Sequence, residues 1–145
     1  MNRFLYLFSF STLAIVIAFA GCSPTATSDS QAAAPKMTFK DTLEKTSKLA
    51  AKLNQGFEDG AGHGVVHDPL HEISHLLDAL PNQIAASDLS EENKTELTSN
   101  VNTLMDNYGK IDAKFHGGEG AEYADVKDNI TKALSSFDSI YKSLE

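Results

Sequence analysis

The sequence predicts an all-α protein whose folded part, residues 38–145, is an up-down-up-down four-helix bundle. Three observations carry that expectation. From Thr38 onward, apolar residues recur at alternating steps of three and four, the seam of helices packed side by side. The stripes begin after Ser, Thr or Asp and stop at glycine, the residues that open and close helices. The connections between stripes are short, which makes consecutive helices antiparallel neighbours.

The first stripe is Phe39, Leu43, Thr46, Ala50, Leu53 and Phe57. Thr38 suits its N-cap, Asp41 lies in the opening turn where a carboxylate meets the positive end of the helix, and Gly56 or Gly60 ends it. The second stripe is Leu70, Ile73, Leu77, Leu80 and Ile84. Asp68-Pro69 reads as an N-cap followed by proline at the first helical position, which leaves His63 and His67 on a glycine-rich loop ahead of the helix. Pro81 interrupts this stripe, so a kink or short break is expected there. The third stripe is Leu97, Val101, Leu104, Tyr108, Ile111 and Phe115, capped by Asp88 or Ser90 and stopped by Gly117-Gly118. The fourth runs from Tyr123 through Val126, Ile130, Ala133, Phe137 and Ile140 to Leu144.

Ahead of the bundle, Arg3 precedes an apolar run from Phe4 to Phe19 that only Ser9, Ser11 and Thr12 interrupt. Small residues and a cysteine follow. That is the layout of a signal peptide, and the run is short for a spanning helix. Its ending, Phe19-Ala20-Gly21-Cys22, resembles the lipobox of bacterial lipoproteins, with phenylalanine where leucine is usual. The resemblance implies removal of residues 1–21 and acylation of Cys22, hence an extracytoplasmic protein anchored by lipid to a bacterial membrane. Ser23 in the next position favours the outer membrane, on its periplasmic side, by the same resemblance. Residues 22–37 then form the lipidated cysteine and a flexible linker, since Ser, Thr, Ala and Pro dominate the stretch and no large apolar residue lies between Cys22 and Lys36. Fourteen residues of linker reach at most ~50 Å when extended.

The charge balance narrows the partners. The chain carries a formal net charge of -8, and after Cys22 it has no arginine. Phosphate tracking needs a positive surface and bidentate recognition of bases needs arginine, so nucleic acid is not an expected partner. Cys22 is the only cysteine and there is no tryptophan, so an internal disulfide and an indole anchor are both excluded. The exposed helix faces, rich in Lys, Glu, Asn, Ser and Thr, name no protein partner and suit a monomer.

The chemistry-bearing residues are the histidines. His63, His67, His71 and His75 recur every four residues, and His116 opens the glycine loop HGGEG. In an up-down bundle, the first and third connections lie at one end, so all five histidines gather there, with Asp68, Glu72, Asp112 and Glu119 among the nearby carboxylates. The chain termini belong to the other end. His71 and His75, on the outward face of one helix, have the spacing that chelates Zn, Cu or Ni. His63, His67 and His116 are available to complete the shell, and Glu72, Asp68 or Glu119 to act as alternative ligands or to orient the imidazoles. The expected function is divalent transition-metal binding at the membrane-distal end; the alternative is a structural or interaction lipoprotein with a merely solvated His-rich face.

Two further patterns carry less. His71-Glu72-Ile73-Ser74-His75 matches HExxH, the signature of zinc peptidases, but those enzymes set the helix beside a sheet and no strand is predicted. No enzymatic activity is therefore expected. Across residues 38–145 the helix pattern resembles the four-helix bundles of cytochrome b562 and cytochrome c′. The chain lacks Cys-x-x-Cys-His, so covalent haem is excluded, and non-covalent haem would need an inward ligand such as Met105 or His116.

Overall fold

A computed structural model describes residues 37–144 and contains four helices, with no strand among the described residues: α1 (Phe39–Glu58), α2 (His63–Ala86), α3 (Glu91–Phe115) and α4 (Tyr123–Ser143). Helix α1 packs on α2 and α4, and α3 packs on the same two, while the diagonal pairs make no close backbone approach. This is the four-helix bundle that the stripes predict. The expected signal segment, Cys22 and most of the linker lie outside the described residues. None of the described helices is long and apolar enough to cross a membrane.

The stripes form one core. Every stripe position is buried except Phe39, Phe57, Phe115, Tyr123 and Leu144, which are half-buried at the helix ends and pack against it. Each large side chain so removed from water contributes about 1.5–3 kcal/mol before the cost of ordering the chain is set against it. Thr42, Thr46 and Asn107 are buried polar exceptions. Each bonds a carbonyl one turn back in its own helix: Thr42 Oγ1 donates to Thr38 O, Thr46 Oγ1 to Thr42 O, and Asn107 Nδ2 to Thr103 O. No hydrogen-bonding group of theirs is left stranded in the core.

The caps follow the sequence at α1 and α3, and α4 gains one that the sequence reading did not assign. Thr38 Oγ1 accepts from Asp41 N at 3.2 Å, and the Asp41 carboxylate accepts from Thr38 N in return. Ser90, rather than Asp88, caps α3 through Asn93 N. At α4 the Asp125 carboxylate accepts from Glu122 N. Each such bond satisfies a backbone donor that the helix itself leaves open.

Helix α2 departs from expectation. It begins at His63 with Gly62 as its N-cap, so Asp68 is not a cap and Pro69 sits inside the helix rather than at its first position. A proline there forfeits one hydrogen bond and costs about 3 kcal/mol in an ordinary helix interior. Burial of Val66, four residues ahead of Leu70 on the same stripe, offsets much of that. Pro81 likewise lies within α2, and the helix continues unbroken to Ala86 because Leu80 and Ile84 on either side of it are fully buried.

One contact crosses the core. Tyr108 of α3, 1 % exposed, donates its hydroxyl to Asn54 Oδ1 of α1 at 3.1 Å, joining helices that share no backbone contact. Burial pushes the Tyr108 phenol up above its ordinary range. Tyr108→Phe keeps the ring and removes only this bond, so it should lower stability by about 1 kcal/mol and the melting temperature by roughly 4–8 °C. A phenol held protonated by the fold stabilises it fully below the unfolded phenol value of ~10, and that contribution is lost as pH rises above it. Thermal melts followed by circular dichroism at neutral and alkaline pH should show the variant losing less than the wild type on alkalinisation.

Candidate metal centre

Two turns of the same kind build the end that carries the histidines. After α1, Gly60 (φ +72°) turns the chain while its N–H bonds Phe57 O and that of Ala61 bonds Gly56 O. After α3, Gly117 (φ +75°) does the same, with its N–H on Lys114 O and that of Gly118 on Ala113 O. Both close the last carbonyls of their helices in the Schellman pattern, which requires a left-handed residue at this position and so favours glycine. The first turn delivers the chain to His63 at the start of α2. The second leaves His116 at the end of α3, directly beside it.

Between these helices the side chains converge. Donor atoms of His67 and His71 on α2, and of Asp112 and His116 on α3, all lie within 4.8 Å of one another. His67 Nε2 and His71 Nε2 are 3.1 Å apart. A tetrahedral ion with bonds of about 2.0–2.1 Å holds its nitrogens about 3.3 Å apart, so this pair already has nearly the right bite. Asp112 Oδ1 is buried without a hydrogen bond, its nearest counterpart being His116 Nε2 at 3.7 Å. A buried carboxylate oxygen lacking a partner is costly unless a cation or donor meets it. Three imidazoles and one carboxylate from two helices can hold a metal ion, and the donor chemistry suits borderline divalent ions such as Zn, Cu or Ni.

Next to this group runs a row of aromatic side chains, one from each helix. Phe57 of α1 stacks on Tyr123 of α4 at 4.8 Å and lies 6.4 Å from Phe115 of α3. His63 of α2 completes it, 5.1 Å from Phe115. On its other side His63 is 4.5 Å from His67 and 5.2 Å from His116, ring centre to ring centre. Ion pairs brace the same end: Lys127 of α4 meets Glu58 of α1 at 2.7 Å, and that hydrogen bond raises the lysine ammonium above its ordinary value. Burial, then the Glu58 carboxylate, pushes the Tyr123 phenol up.

The structure divides the histidine run differently from the sequence expectation. His71 belongs to the converging group, whereas His75, one turn further along α2, is exposed and stands outside it. His67 takes the place expected of His75 because α2 starts early enough to carry it one turn before His71. Asp112 joins as a donor the sequence reading left unassigned; its i, i+4 relation to His116 on one helix was the available signal. Asp68 lies 3.4 Å from His67 Nδ1 and is otherwise in solvent. Glu72 is engaged by Lys45 of α1 at 2.7 Å, and Glu119 is exposed in the α3–α4 loop. With Glu72 so engaged and His75 apart, the HExxH residues do not converge on one point. Met105 is half-buried against the core, two turns before Asp112 on α3, and is not among the converging donors.

Comparison with protein-family models, with curated proteins and with solved structures finds no match to the chain. The site therefore rests on its own geometry.

The loop that holds His116 depends on a close backbone approach. Ala121 N bonds Lys110 O at 3.1 Å, laying the loop back along α3, and a Cβ on Gly120 would overlap Lys110 O and fall 2.7 Å from Lys114 N. Gly120→Ala should lift the loop from α3, costing roughly 1–3 kcal/mol. The overlap is with backbone, so no side-chain rotation relieves it. The checking measurement is a denaturant titration, with Gly64→Ala, which meets open space, as the control.

Proposed function

We propose that the chain is a lipid-anchored extracytoplasmic protein whose bundle binds one divalent transition-metal ion through His67, His71, Asp112 and His116, at the end remote from the anchor. The observation that carries the metal reading is the convergence of four donors from two helices within 4.8 Å. The unpaired Asp112 oxygen supports it, since a bound cation supplies the missing partner. The anchor rests on Phe19-Ala20-Gly21-Cys22 at the end of the apolar run, and on Cys22 being the only cysteine. Acyl chains on that residue, with ~0.8 kcal/mol per buried CH2, hold a protein on a membrane when two or more are present. Met37 and Leu144 lie together at the far end of the bundle, so a tether ending at Met37 leaves the histidines facing away from the lipid.

Calorimetric titration of the full chain with Zn2+ should give one ion bound per chain. A ligand at about a hundred times its Kd stabilises the fold by about 2.7 kcal/mol, so the melting temperature should rise by roughly 10–20 °C. Protons compete with the metal for imidazole lone pairs, so affinity should fall as the solution is acidified from neutrality. His116→Ala should abolish tight binding and His75→Ala should leave it intact. Retention of binding in His116→Ala would move the site, and no binding tighter than about millimolar would leave a solvated polar end and the interaction-lipoprotein reading.

Cys22→Ser should leave the helical content unchanged and transfer the protein from the membrane to the soluble fraction. If it still sediments with membranes, the uncleaved apolar segment is the anchor instead.

A further inference from the structure

Resting on that metal-binding reading, the geometry points to two overlapping coordination positions at the histidine end. The outer is the set of His67, His71, Asp112 and His116. The inner consists of His63, His67 and His116, and the same ion occupies one or the other.

The inner position follows from three measurements on His63. Its Nε2 is buried and has no hydrogen-bond partner. A neutral imidazole offers one lone pair and one N–H, and burying either without a partner costs free energy, so a ligand-seeking nitrogen sits in the wall of the site. The three rings form a triangle with sides of 4.5 Å (His63–His67), 5.2 Å (His63–His116) and 5.4 Å (His67–His116). An imidazole centre lies about 3.2 Å from an ion bound at about 2.0–2.1 Å, so rings sharing one ion are about 5.2–5.5 Å apart in tetrahedral or trigonal arrangement. Two sides already match, and the third, His63–His67, has to open by about 0.7–1.0 Å. The rings are also steeply inclined to one another, at 66°, 82° and 72°, as rings around a common point are and stacked rings are not.

His63 does not belong to the outer four, whose mutual closeness it fails to meet. It stands two turns from His71 on α2, with His67 between them. Both sets draw on the lone pairs of His67 and His116, which makes them mutually exclusive. An ion passes between them by exchanging His71 and Asp112 for His63 while the two shared imidazoles stay bound. The outer set includes the exposed His71; the inner replaces it with the half-buried His63, which packs beside Phe115, and supplies three neutral donors, leaving a fourth coordination position free. Such a pair of positions suits a protein that accepts an ion at its surface and holds it in a more sheltered place.

The test is a set of variants of the full chain titrated with Zn2+ by calorimetry and loaded with Co2+ for visible spectroscopy: His63→Gln, His71→Ala, the two combined, and His116→Ala. With alternative positions, either single loss leaves the other set intact, so each weakens binding only about two- to tenfold. The double variant then loses far more than the product of the two, a coupling that a double-mutant cycle reads directly. His116→Ala, which breaks both sets, loses tight binding alone. The Co2+ spectra of His63→Gln and His71→Ala differ from each other, and that of the wild type is a mixture of the two. His63→Phe, which keeps the ring against Phe115 but has no donor, repeats the His63→Gln result if packing is not at issue. Losses that simply multiply would establish one five-donor site and overturn the two-position proposal. A His63→Gln protein with unchanged affinity and spectrum would overturn it too, leaving the outer set standing. If the wild type itself binds neither ion, the metal-binding reading fails and this inference fails with it.

Discussion

The histidine end exists only because α2 and α3 lie against each other in one register. His67 and His71 come from the first helix, and Asp112 and His116 from the second. Neither pair makes a four-donor group by itself. The register is set by buried side chains further along the same helices, Leu70, Ile73 and Leu77 on α2 and Leu104, Tyr108 and Ile111 on α3, which are at most 2 % exposed. Close-packed interiors resist sliding, because moving one helix by a residue puts polar side chains where apolar ones were. The apolar seam thus fixes in advance the separation that a bound ion would otherwise have to impose.

The cost of building that end is visible in the polar groups it leaves unmatched. His63 Nε2 and Asp112 Oδ1 are two of the few buried side-chain atoms without hydrogen bonds among the described residues, and both lie at the histidine end. Thr42, Thr46 and Asn107 in the core instead bond carbonyls of their own helices, and Gln83 Oε1 and Asn100 Nδ2, away from the histidine end, are the other unmatched atoms among the described residues.

The bundle was legible from the sequence because its seam repeats without exception and because Thr38 and Ser90 announce helix starts chemically. The start of α2 was not, since Asp68-Pro69 is a strong local cap signal and tertiary packing overrode it. Val66 held the correction: it continues the stripe to 66, 70, 73 and 77, a pattern that a loop has no reason to keep. From that one misplaced boundary the rest followed. With His67 read as loop, His71 and His75 seemed the fixed pair; with His67 on the helix, both pairs share one spacing, and the approach of Asp112 and His116 selects His67 and His71. Asp112 was harder to see, because its i, i+4 spacing to His116 is shared by many carboxylates on helices and only the packing of α3 on α2 brings it to the other donors.

The row of Tyr123, Phe57, Phe115 and His63 gives the bundle a mechanical polarity. Each helix contributes one member, so the helices cannot splay at that end without breaking contacts made by all four. At the opposite end Met37, Phe39, Leu89 and Leu144 line a larger open cavity of about 550 Å3, against about 210 Å3 beside Phe57, Phe115 and Tyr123. Local opening follows the weaker packing, so fluctuations should start at the end that carries Met37 and Leu144 and die out toward the histidines. Backbone amides near Ile111 and Val126 should accordingly be the slowest to exchange with solvent, and those near Leu89 and Leu144 among the fastest. The stiff end of the molecule is the one that holds its donors in place.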